Sequence, residues 1–530
     1  MNLTRKEFCR LGGAFALAAL DRETFAKSAP VARRPLLPDY WCTWGLQNRL
    51  PISEPDRKAP AFAGDQGASR ARDNLNEQTL FGAQGWATEM CADIRQNLFL
   101  VLDDGWDVPY GSHPVQDIDR FGFLEPWPTR FASCGETARA RLTTINARLR
   151  DAGWQGAGLW IAAQRQGDRR DSLAPDVRDF YLRKLELSAA AGIRYWKVDW
   201  GVRAPSNEFR RMVSELAREI CPDLIVEHCP FAMDVFNAQR PDPAKGGAFV
   251  GSGRCEARSD DAALVERLRF SDVLRTYDVL GPFASATTLD RVVAYSRIID
   301  AHRLGTRLNV EDAPVIGAVL GHAFGIMRSV RKGADADAWF TYRRASNWHM
   351  LAPPFGGTEG LATQASADVL FESHRFDAHE GWYQPAWGHV LRQGAPAVVA
   401  RGTGLPVVKP CALERPYVLV GRNPNGAVGV GVLSRLRADG AQATPPVEVT
   451  LSEPLAPGAP LAVFGPVAAV HIPLKGRVTQ VSAADLADGE PHPVPTTCSD
   501  GFLHLEAKAL QTACAVHPFG IPAAVFRFSS

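Results

Sequence analysis

Two short strings place acidic residues directly after apolar runs. Residues 100–106 read L-V-L-D-D-G-W, and residues 195–201 read Y-W-K-V-D-W-G. Buried parallel strands are continuous apolar runs, and in barrels their carboxyl ends carry catalytic residues. A pair of carboxylates at such an edge can cleave a glycosidic bond, one attacking the sugar and the other moving the proton. Either string alone is equally typical of a strand end whose Asp caps the next helix.

The second string favours Asp199 as a nucleophile. Asp199 ends the apolar run and Lys197 lies two residues earlier, so both side chains point to the same face of the strand. A neighbouring ammonium group favours the ionised carboxylate, which is the form that attacks. The alternative is a structural Lys–Asp pair inside the fold.

Strand-like runs alternate with helix-like segments over most of the first two thirds of the chain. This alternation predicts a parallel sheet, and eight units predict closure into a (β/α)₈ TIM barrel, an α/β fold, over residues 38–375. The predicted strands are residues 40–44, 98–102, 157–163, 193–198, 224–227, 273–277, 307–310 and 347–351. The clearest predicted helices are residues 136–151, 177–191, 207–220 and 260–269.

The composition changes after residues 356–357. From residue 395 onward, Pro, Gly and alternating β-forming residues dominate, and no helical period is evident. Residues 423–426 read N-P-N-G between two β-forming runs, which is typical of a hairpin. We therefore expect a C-terminal antiparallel β-sandwich over residues 395–530.

The overall composition excludes some classes of partner. The chain has 530 residues, of which 46% are hydrophobic and 22% charged, and 59 Lys and Arg balance 58 Asp and Glu. This balance predicts no nucleic-acid partner, because there is no basic field. Thirteen Trp residues favour a surface that handles sugars. No apolar run approaches the ~20 residues of a membrane-spanning helix.

The amino-terminal segment predicts export. Residues 4–10 read T-R-K-E-F-C-R, and a mild apolar stretch follows at residues 11–20. The pattern resembles a twin-arginine signal with Lys in place of the second Arg, which predicts a signal over residues 1–28 and a periplasmic or secreted protein. The alternative is an ordinary amphipathic first helix.

The ten cysteines show no C-x-x-C pair, which gives a structural zinc site little support. Removal of the predicted signal would leave nine, so we expect at least one free thiol. Export would be compatible with one or two disulfides, whose pairing the sequence leaves open.

Placed on the predicted strands, the motifs resemble those of the retaining α-galactosidase clan of glycoside hydrolases, which includes melibiases and raffinose-synthase-like proteins. Each motif is short, but five of them occur in the clan's order on successive strands. They are W-C-T-W at residues 41–44, D-D-G-W at residues 103–106, G-x-W ending at Trp160, K-x-D at residues 197–199, and Cys229 after the fifth strand.

This resemblance implies roles for individual residues. Asp199 would be the nucleophile, and Asp103 and Asp104 would bind the O4 and O6 hydroxyls of a galactose-like ring. Cys229 stands where the clan often has a Cys that contacts the sugar. From the residues alone, one of the two adjacent acids could instead cap a helix, and a calcium site there would lack further oxygen ligands.

The resemblance leaves the proton donor less well defined. The clan has an Arg shortly before its donor, in R-x-S-x-D or R-x-S-D-D patterns. Here the string R-T-Y-D runs from Arg275 to Asp278, one residue short and with Tyr in place of Ser. Asp278 is the predicted donor and Asp272 is its competitor. Residues 260–261 are also acidic, but they open a predicted helix, where Asp is expected as a cap.

The predicted first subsite is a closed pocket. Trp44, Trp160 and Trp200 lie at or near predicted strand ends, so they should line the barrel mouth. Lys197 and Arg275 should bridge hydroxyls and carboxylates. A pocket with aromatic walls accepts one terminal sugar, which predicts exo action on an oligosaccharide or glycan. We expect no cofactor and no metal.

Three other functions stay open. One is a galactoside-binding barrel without hydrolytic activity, favoured by the irregular Asp278 motif. The second is an α-galactosyl transglycosylase, which shares the first half-reaction. The third is a metal-dependent hydrolase that uses Asp103, Asp104 and His228. The sugar itself (galactose, N-acetylgalactosamine or β-L-arabinopyranose), the linkage and the oligomeric state are also left open.

Overall fold

Eight parallel strands form the first sheet of the protein. A computed structural model describes residues 36–47, 71–113, 116–229, 262–276, 285–375, 390–436 and 441–529. The strands of the sheet are β1 (Tyr40–Cys42), β2 (Phe99–Leu102), β3 (Ala157–Ile161), β4 (Tyr195–Val198), β5 (Ile225–His228), β6 (Val273–Arg275), β7 (Arg307–Asn309) and β8 (Gly325–Ile326). Their order is β7-β6-β5-β4-β3-β2-β1-β8, with every neighbouring pair parallel.

Backbone contacts close this sheet into a barrel. β8 pairs with β1 on one side. On the other side, Asn309 at the end of β7 forms a parallel bridge with Ala323, and the Val310 N–H donates to the Ala323 carbonyl at 2.9 Å. The predicted (β/α)₈ barrel is therefore confirmed.

Helices follow or precede the strands around this barrel, and the predicted helix at residues 207–220 has the predicted bounds. Together with a short carboxyl-terminal helix, the helices that lie within the described residues are Trp44–Gln47, Glu77–Phe81, Trp86–Glu89, Ala138–Asp151, Val177–Ala190, Asn207–Ile220, Ala262–Phe270, Ser285–Ala301, Pro314–Leu320, Ala336–Leu351 and Ala507–Ala513. The part of the chain that the structure describes also contains the short 3₁₀ segments Arg95–Asn97, Ile118–Arg120 and Ala132–Cys134.

The prediction of the eighth strand was wrong. Residues 347–351 belong to the helix Ala336–Leu351, whose residues Trp339, Tyr342, Ala345 and Trp348 are all buried. Their spacing of three is a helical period, and it outweighs the short apolar run that suggested a strand. The true eighth strand has two residues, which is too short to show any periodicity.

Two larger sheets and two small two-stranded sheets make up the described carboxyl-terminal region, where an antiparallel β-sandwich was predicted. The strands are β9 (Thr363–Ala365), β10 (Val369–Arg375), β11 (Val390–Pro396), β12 (Val398–Arg401), β13 (Val407–Pro410), β14 (Tyr417–Arg422), β15 (Val428–Leu433), β16 (Arg435–Leu436), β17 (Gln442–Ala443), β18 (Val447–Thr450), β19 (Leu461–Phe464), β20 (Val467–Pro473), β21 (Gln480–Asp485), β22 (His492–Pro493), β23 (Thr497–Ser499), β24 (Phe502–Glu506) and β25 (Ala523–Ser529). One sheet has the order β22-β21-β25-β19-β15-β14-β12-β9, and the other β13-β18-β20-β24-β23. Two small two-stranded sheets, β10-β11 and β16-β17, complete the pairing.

The larger two sheets share one apolar core, to which Val430 contributes from one sheet and Val449 and Val470 from the other. The predicted hairpin at residues 423–426 joins β14 to β15. Strand pairing is mixed, because β12 with β14, β15 with β19 and β18 with β20 are parallel. The helix Ala507–Ala513 lies in a region where no helix was predicted.

A buried ion pair joins the barrel helix Ala336–Leu351 to the carboxyl-terminal sheets. The Arg344 guanidinium donates two hydrogen bonds to Asp485, at 2.8 and 2.7 Å, and binds three backbone carbonyls of residues 517–521. Both side chains are almost completely buried. Breaking a buried pair of this kind costs about 3–5 kcal/mol, so the contact holds the sheets firmly to the barrel.

Two further features are the state of the cysteines and the character of the helices in the described ranges. The eight cysteines that lie in the described ranges carry free thiols, and Cys9 and Cys255 fall outside them. Among the helices of the described ranges, none has the length and apolar character needed to cross a membrane.

Candidate active site

Acidic and basic side chains gather at the carboxyl end of the barrel strands. Asp103 and Asp104 follow β2, and Asp199 follows β4. Arg275 is the last residue of β6, and Glu311 comes shortly after β7. Because all the strands are parallel, these positions share one end of the barrel, the end that carries active sites in this fold.

Asp199 is held by three groups. Its Oδ2 atom accepts hydrogen bonds from Trp160 Nε1 at 3.1 Å and from Arg275 Nη2 at 3.2 Å. Its backbone carbonyl accepts from Arg210 Nη2 at 3.0 Å. Burial raises the pKa of Asp199, but the positive charges of Arg275 and Lys197 lower it more, so the pKa lies below the usual value. Asp199 is therefore an oriented, ionised carboxylate.

Lys197 binds Asp103 rather than Asp199. Its Nζ lies 2.8 Å from Asp103 Oδ2 and 3.6 Å from Cys42 Sγ. Burial lowers the pKa of Lys197, but Asp103 and Cys42 raise it further, to well above the usual value. The ammonium group thus stays charged and acts on Asp199 through its field.

Asp104 makes a separate set of contacts. Its Oδ2 atom accepts from Arg72 Nη2 at 2.5 Å and from Trp200 Nε1 at 3.1 Å. Its own backbone N–H donates to Asp103 Oδ1 at 2.8 Å. Burial raises the pKa of Asp104 above its usual value, although Arg72 opposes this shift. The two adjacent acids therefore face different cations.

The predicted tryptophans surround these acids. The rings of Trp160 and Trp200 lie 5.6 Å apart, and Trp200 lies 5.1 Å from Phe121. Trp44 is buried beneath Arg72, whose guanidinium carbon lies 6.0 Å from its ring. Trp160 is fully buried, so its indole serves to orient Asp199, whereas Trp200 is partly exposed.

Glu311 is a site residue that sequence reasoning missed. Its Oε1 atom accepts from Tyr40 Oη at 2.6 Å and from Arg275 Nη1 at 3.1 Å, and it lies 3.5 Å from Lys197 Nζ. Arg275 therefore bridges Glu311 and Asp199. The sequence contains a pattern that could have identified Glu311, because residues 307–312 read R-L-N-V-E-D, in which an acid again follows a strand-like run.

Glu227 is a second missed acid and lies deeper in the barrel. Its Oε2 atom accepts from Tyr195 Oη at 2.8 Å and from Asn309 Nδ2 at 2.7 Å. Burial raises its pKa above the usual value, with Arg275 opposing and Glu311 adding to the shift. Cys229 lies nearby, with its Sγ 3.9 Å from Glu227 Oε1, and is buried as a thiol of raised pKa.

The structure bears differently on the two candidate proton donors, Asp278 and Asp272. Asp278 lies outside the described residues. Asp272 immediately precedes β6, at the amino end of the strand, and its Oδ2 atom accepts from the Val226 N–H at 3.0 Å. Asp272 thus lies at the opposite end of the barrel from Asp199, and its candidacy was wrong.

The metal-site alternative also fails on geometry. His228 faces the helix Asn207–Ile220, where its ring nitrogens contact Arg210 at 3.2 Å and Ser214 Oγ at 2.8 Å. It therefore points into the helix layer, away from Asp103 and Asp104. Within the described residues, no three His, Cys, Asp or Glu side chains are grouped as a metal site would require.

Comparisons with known proteins find similarity in structure only. No protein-family model and no curated protein matches the chain. Among solved structures, α-galactosidase I from Mortierella vinacea is 10% identical with a TM-score of 0.37, covering 95% of this chain and 99% of its own. The α-galactosidase of Saccharomyces cerevisiae with raffinose is 10% identical with a TM-score of 0.40, covering 93% and 98%.

A β-L-arabinopyranosidase from Geobacillus stearothermophilus is 12% identical with a TM-score of 0.36, covering 94% of this chain and 97% of its own. Such low identities and TM-scores leave the activity to be inferred from the residues of the site.

Proposed function

We propose that the protein is a retaining, exo-acting glycoside hydrolase that removes terminal α-galactosyl-type residues from oligosaccharides or glycans. One observation carries the proposal. Asp199 directly follows barrel strand β4, and it is a carboxylate that Arg275 and Trp160 orient and that nearby cations keep ionised. Its side chain is also 17% exposed, against 5% for Asp103, so it is the more accessible of the two.

In the proposed reaction, Asp199 attacks the anomeric carbon and a glycosyl ester forms as the bond to the leaving oxygen breaks. Asp278 donates the proton that the leaving oxygen takes up, and then removes a proton from the water that hydrolyses the ester. Retention requires the two carboxyl groups to lie ~5–5.5 Å apart, whereas ~6.5–9.5 Å is typical of inversion.

The other site residues would bind the sugar. We assign Asp103 and Asp104 to hydroxyl groups of the terminal ring, because ionised acceptors bind hydroxyls strongly. Trp200 and Trp44 would supply apolar walls, and Lys197, Arg275 and Cys229 would complete the polar lining. A pocket of this kind admits one terminal residue, which is the basis for exo action.

The proposal is tested by trapping the glycosyl ester. We expect a fluorinated galactosyl substrate that forms the ester quickly and hydrolyses it slowly to add one glycosyl group to Asp199, as mass spectrometry of the peptide would detect. Asp199→Asn should abolish both the labelling and the release of aryl galactoside. The matched control is Asp272→Asn, an acid at the other end of the barrel, which should keep its activity.

The other outcomes of this assay separate the alternatives. Galactose binding without cleavage of any α-galactoside would favour a non-hydrolytic barrel, and a dominant transfer product would favour a transglycosylase. Substantial turnover by the Asn variant would refute Asp199 as nucleophile. Screening aryl glycosides that differ only at C2 and C6 would identify the sugar.

Domain boundaries and location belong to the same proposal. The sequence-based boundaries were 38–375 for the barrel and 395–530 for the sandwich, but β9 pairs with β12 and β10 pairs with β11, so residues 363–375 belong to the carboxyl-terminal sheets. We assign catalysis to the barrel and an accessory role to the carboxyl-terminal sheets. Export through the signal at residues 1–28, to the periplasm or outside the cell, stays a prediction, because those residues lie outside the described part of the chain.

A further inference from the structure

Arg72 and Asp104 leave three buried polar atoms without partners. The guanidinium uses Nη2 for its contact with Asp104 Oδ2, at 2.5 Å. Its Nε and Nη1 atoms and the Oδ1 atom of Asp104 have no hydrogen-bond partner in the described structure, although all three are buried. Such atoms are rare in native proteins, because each costs about 1–3 kcal/mol when it is left unsatisfied.

The backbone at Arg72 is fixed in place. Its carbonyl accepts a hydrogen bond from Arg130 Nη1 at 2.9 Å, and the preceding carbonyl, of Ala71, accepts from Gln47 Nε2 at 3.3 Å. Gly105 has φ +121°, and a Cβ at that position would lie 2.7 Å from the Arg72 carbonyl oxygen. The glycine of the D-D-G-W motif thus lets the chain bring Arg72 against Asp104.

The unpartnered atoms lie beside the proposed sugar pocket. The Arg72 guanidinium carbon is 4.9 Å from the Phe121 ring centre and 5.5 Å from that of Trp200. Trp200 packs against Trp160, whose indole donates to Asp199. A donor and an acceptor that lack partners therefore lie two aromatic rings away from the proposed nucleophile.

We propose that Arg72 and Asp104 act together to read one hydroxyl group of the terminal sugar. The hydroxyl donates its hydrogen to Asp104 Oδ1 and accepts a hydrogen bond from Nη1 or Nε of Arg72. A hydroxyl suits this pair because it donates and accepts hydrogen bonds at once. Without the guanidinium, the carboxylate would select only for a hydrogen-bond donor. The inference rests on the proposed function, and it adds Arg72 as a residue that determines specificity.

The charge balance favours a neutral group at this position. The charge of Arg72 is already matched by Asp104, and Asp103 follows the same strand. An anionic substituent on the sugar would bring a further negative charge to a buried pair that is already neutral, which burial disfavours. We therefore expect neutral sugars to be preferred over uronic acids.

The test compares enzyme variants across substrates that each lack one hydroxyl. Arg72→Met removes the donors and keeps the apolar stem. On the complete aryl galactoside, we expect kcat/KM to fall about 10- to 100-fold. On the deoxy substrate that lacks the hydroxyl in question, the variant and the wild-type protein should be about equal. Arg120→Met, which alters an exposed arginine, is the matched control and should resemble the wild type on every substrate.

Two results would overturn the proposal. One is an equal loss on every deoxy substrate, which indicates a purely structural role, and the other is no loss on any. If Arg72→Met does not fold, Arg72→Lys keeps the charge but loses the planar set of donors, and the same comparison applies.

A binding experiment separates this proposal from the proposed function. In the Asp199→Asn background, calorimetry with free galactose and its monodeoxy forms measures recognition without chemistry. Wild-type protein that cleaves no galactoside would refute the hydrolase. Even then, the Arg72 proposal would be supported if adding Arg72→Met removed the contribution of one hydroxyl to the affinity for galactose. It would be refuted if every hydroxyl contributed as much as before.

Discussion

Arg275 Nη2 and Asp199 Oδ2 are 3.2 Å apart, and the same guanidinium reaches Glu311 Oε1 through Nη1 at 3.1 Å. One cation thus serves two carboxylates from different strands. Because the Arg275 side chain is almost fully buried, its charge is little screened by solvent. The ionisation of the proposed nucleophile depends on this contact.

Replacing Arg275 should shift the acidic limb of the pH profile to higher pH. Asp199 has a lowered pKa, so it stays ionised down to a pH below the usual carboxyl range, and activity is lost only as the pH falls through that pKa. Arg275→Gln removes the main opposing charge and should raise the limb of kcat/KM by about one pH unit or more. Arg120→Gln should leave the limb in place. A profile unchanged by Arg275→Gln would contradict this account.

Removing Glu311 should destabilise the protein strongly. Its carboxylate serves Arg275, Lys197 and Tyr40, so Glu311→Ala leaves two buried cations short of a partner. We expect the free energy of unfolding, measured by urea titration, to fall by about 3–5 kcal/mol. Glu311→Gln keeps an acceptor oxygen and should lose less. The exposed Glu359→Ala should stay within about 0.5 kcal/mol of the wild type.

Asp107 should make stability depend on pH. Burial raises its pKa from 3.8 to about 7, and its Oδ2 atom accepts from the Leu124 N–H at 2.9 Å. Asp107 therefore binds its proton more tightly in the folded state than in the unfolded state. The stabilisation that results is complete below the pKa of the unfolded state and is lost as the pH rises towards about 7.

The measurement for Asp107 is the difference in unfolding free energy between Asp107→Asn and wild type. We expect this difference to move in favour of the variant, by up to about 1.4 kcal/mol per pH unit, between about pH 5 and about pH 7. Other groups titrate alike in both proteins and cancel. A difference that stays constant over this range would show that the buried carboxyl does not titrate there.

A matched pair of glycines tests the close approach at the D-D-G-W motif. Gly105 has φ +121° and faces the Arg72 backbone, whereas Gly111 has φ +73° and a Cβ added there would meet nothing within 4 Å. Gly111→Ala should cost only the strain of its backbone, about 1 kcal/mol. Gly105→Ala should cost clearly more and also lower galactoside turnover, because Arg72 must move. Equal losses of stability would contradict the proposed contact.

Much of the barrel could be predicted because its signals are local. Apolar runs ending in acid and glycine identified β2 and β4, and the helical period identified the helix Asn207–Ile220. The eighth strand could not be found in this way, since Gly325 and Ile326 form too short a run. β8 is specified by its pairing with β1, whose residues lie far away in the sequence.

The sequence by itself determined the barrel class and the strand-end positions of Asp103, Lys197 and Asp199, because residue type and spacing along one strand decide these. Only the tertiary structure decided which groups meet. The barrel sheet brings Lys197 on β4 to Asp103 after β2 across 94 positions, and Arg72 reaches Asp104 from the helical residues 71–73, which carry no recognisable motif. Such partners are chosen by packing and by charge compensation in a buried space, and neither leaves a periodic trace along the chain.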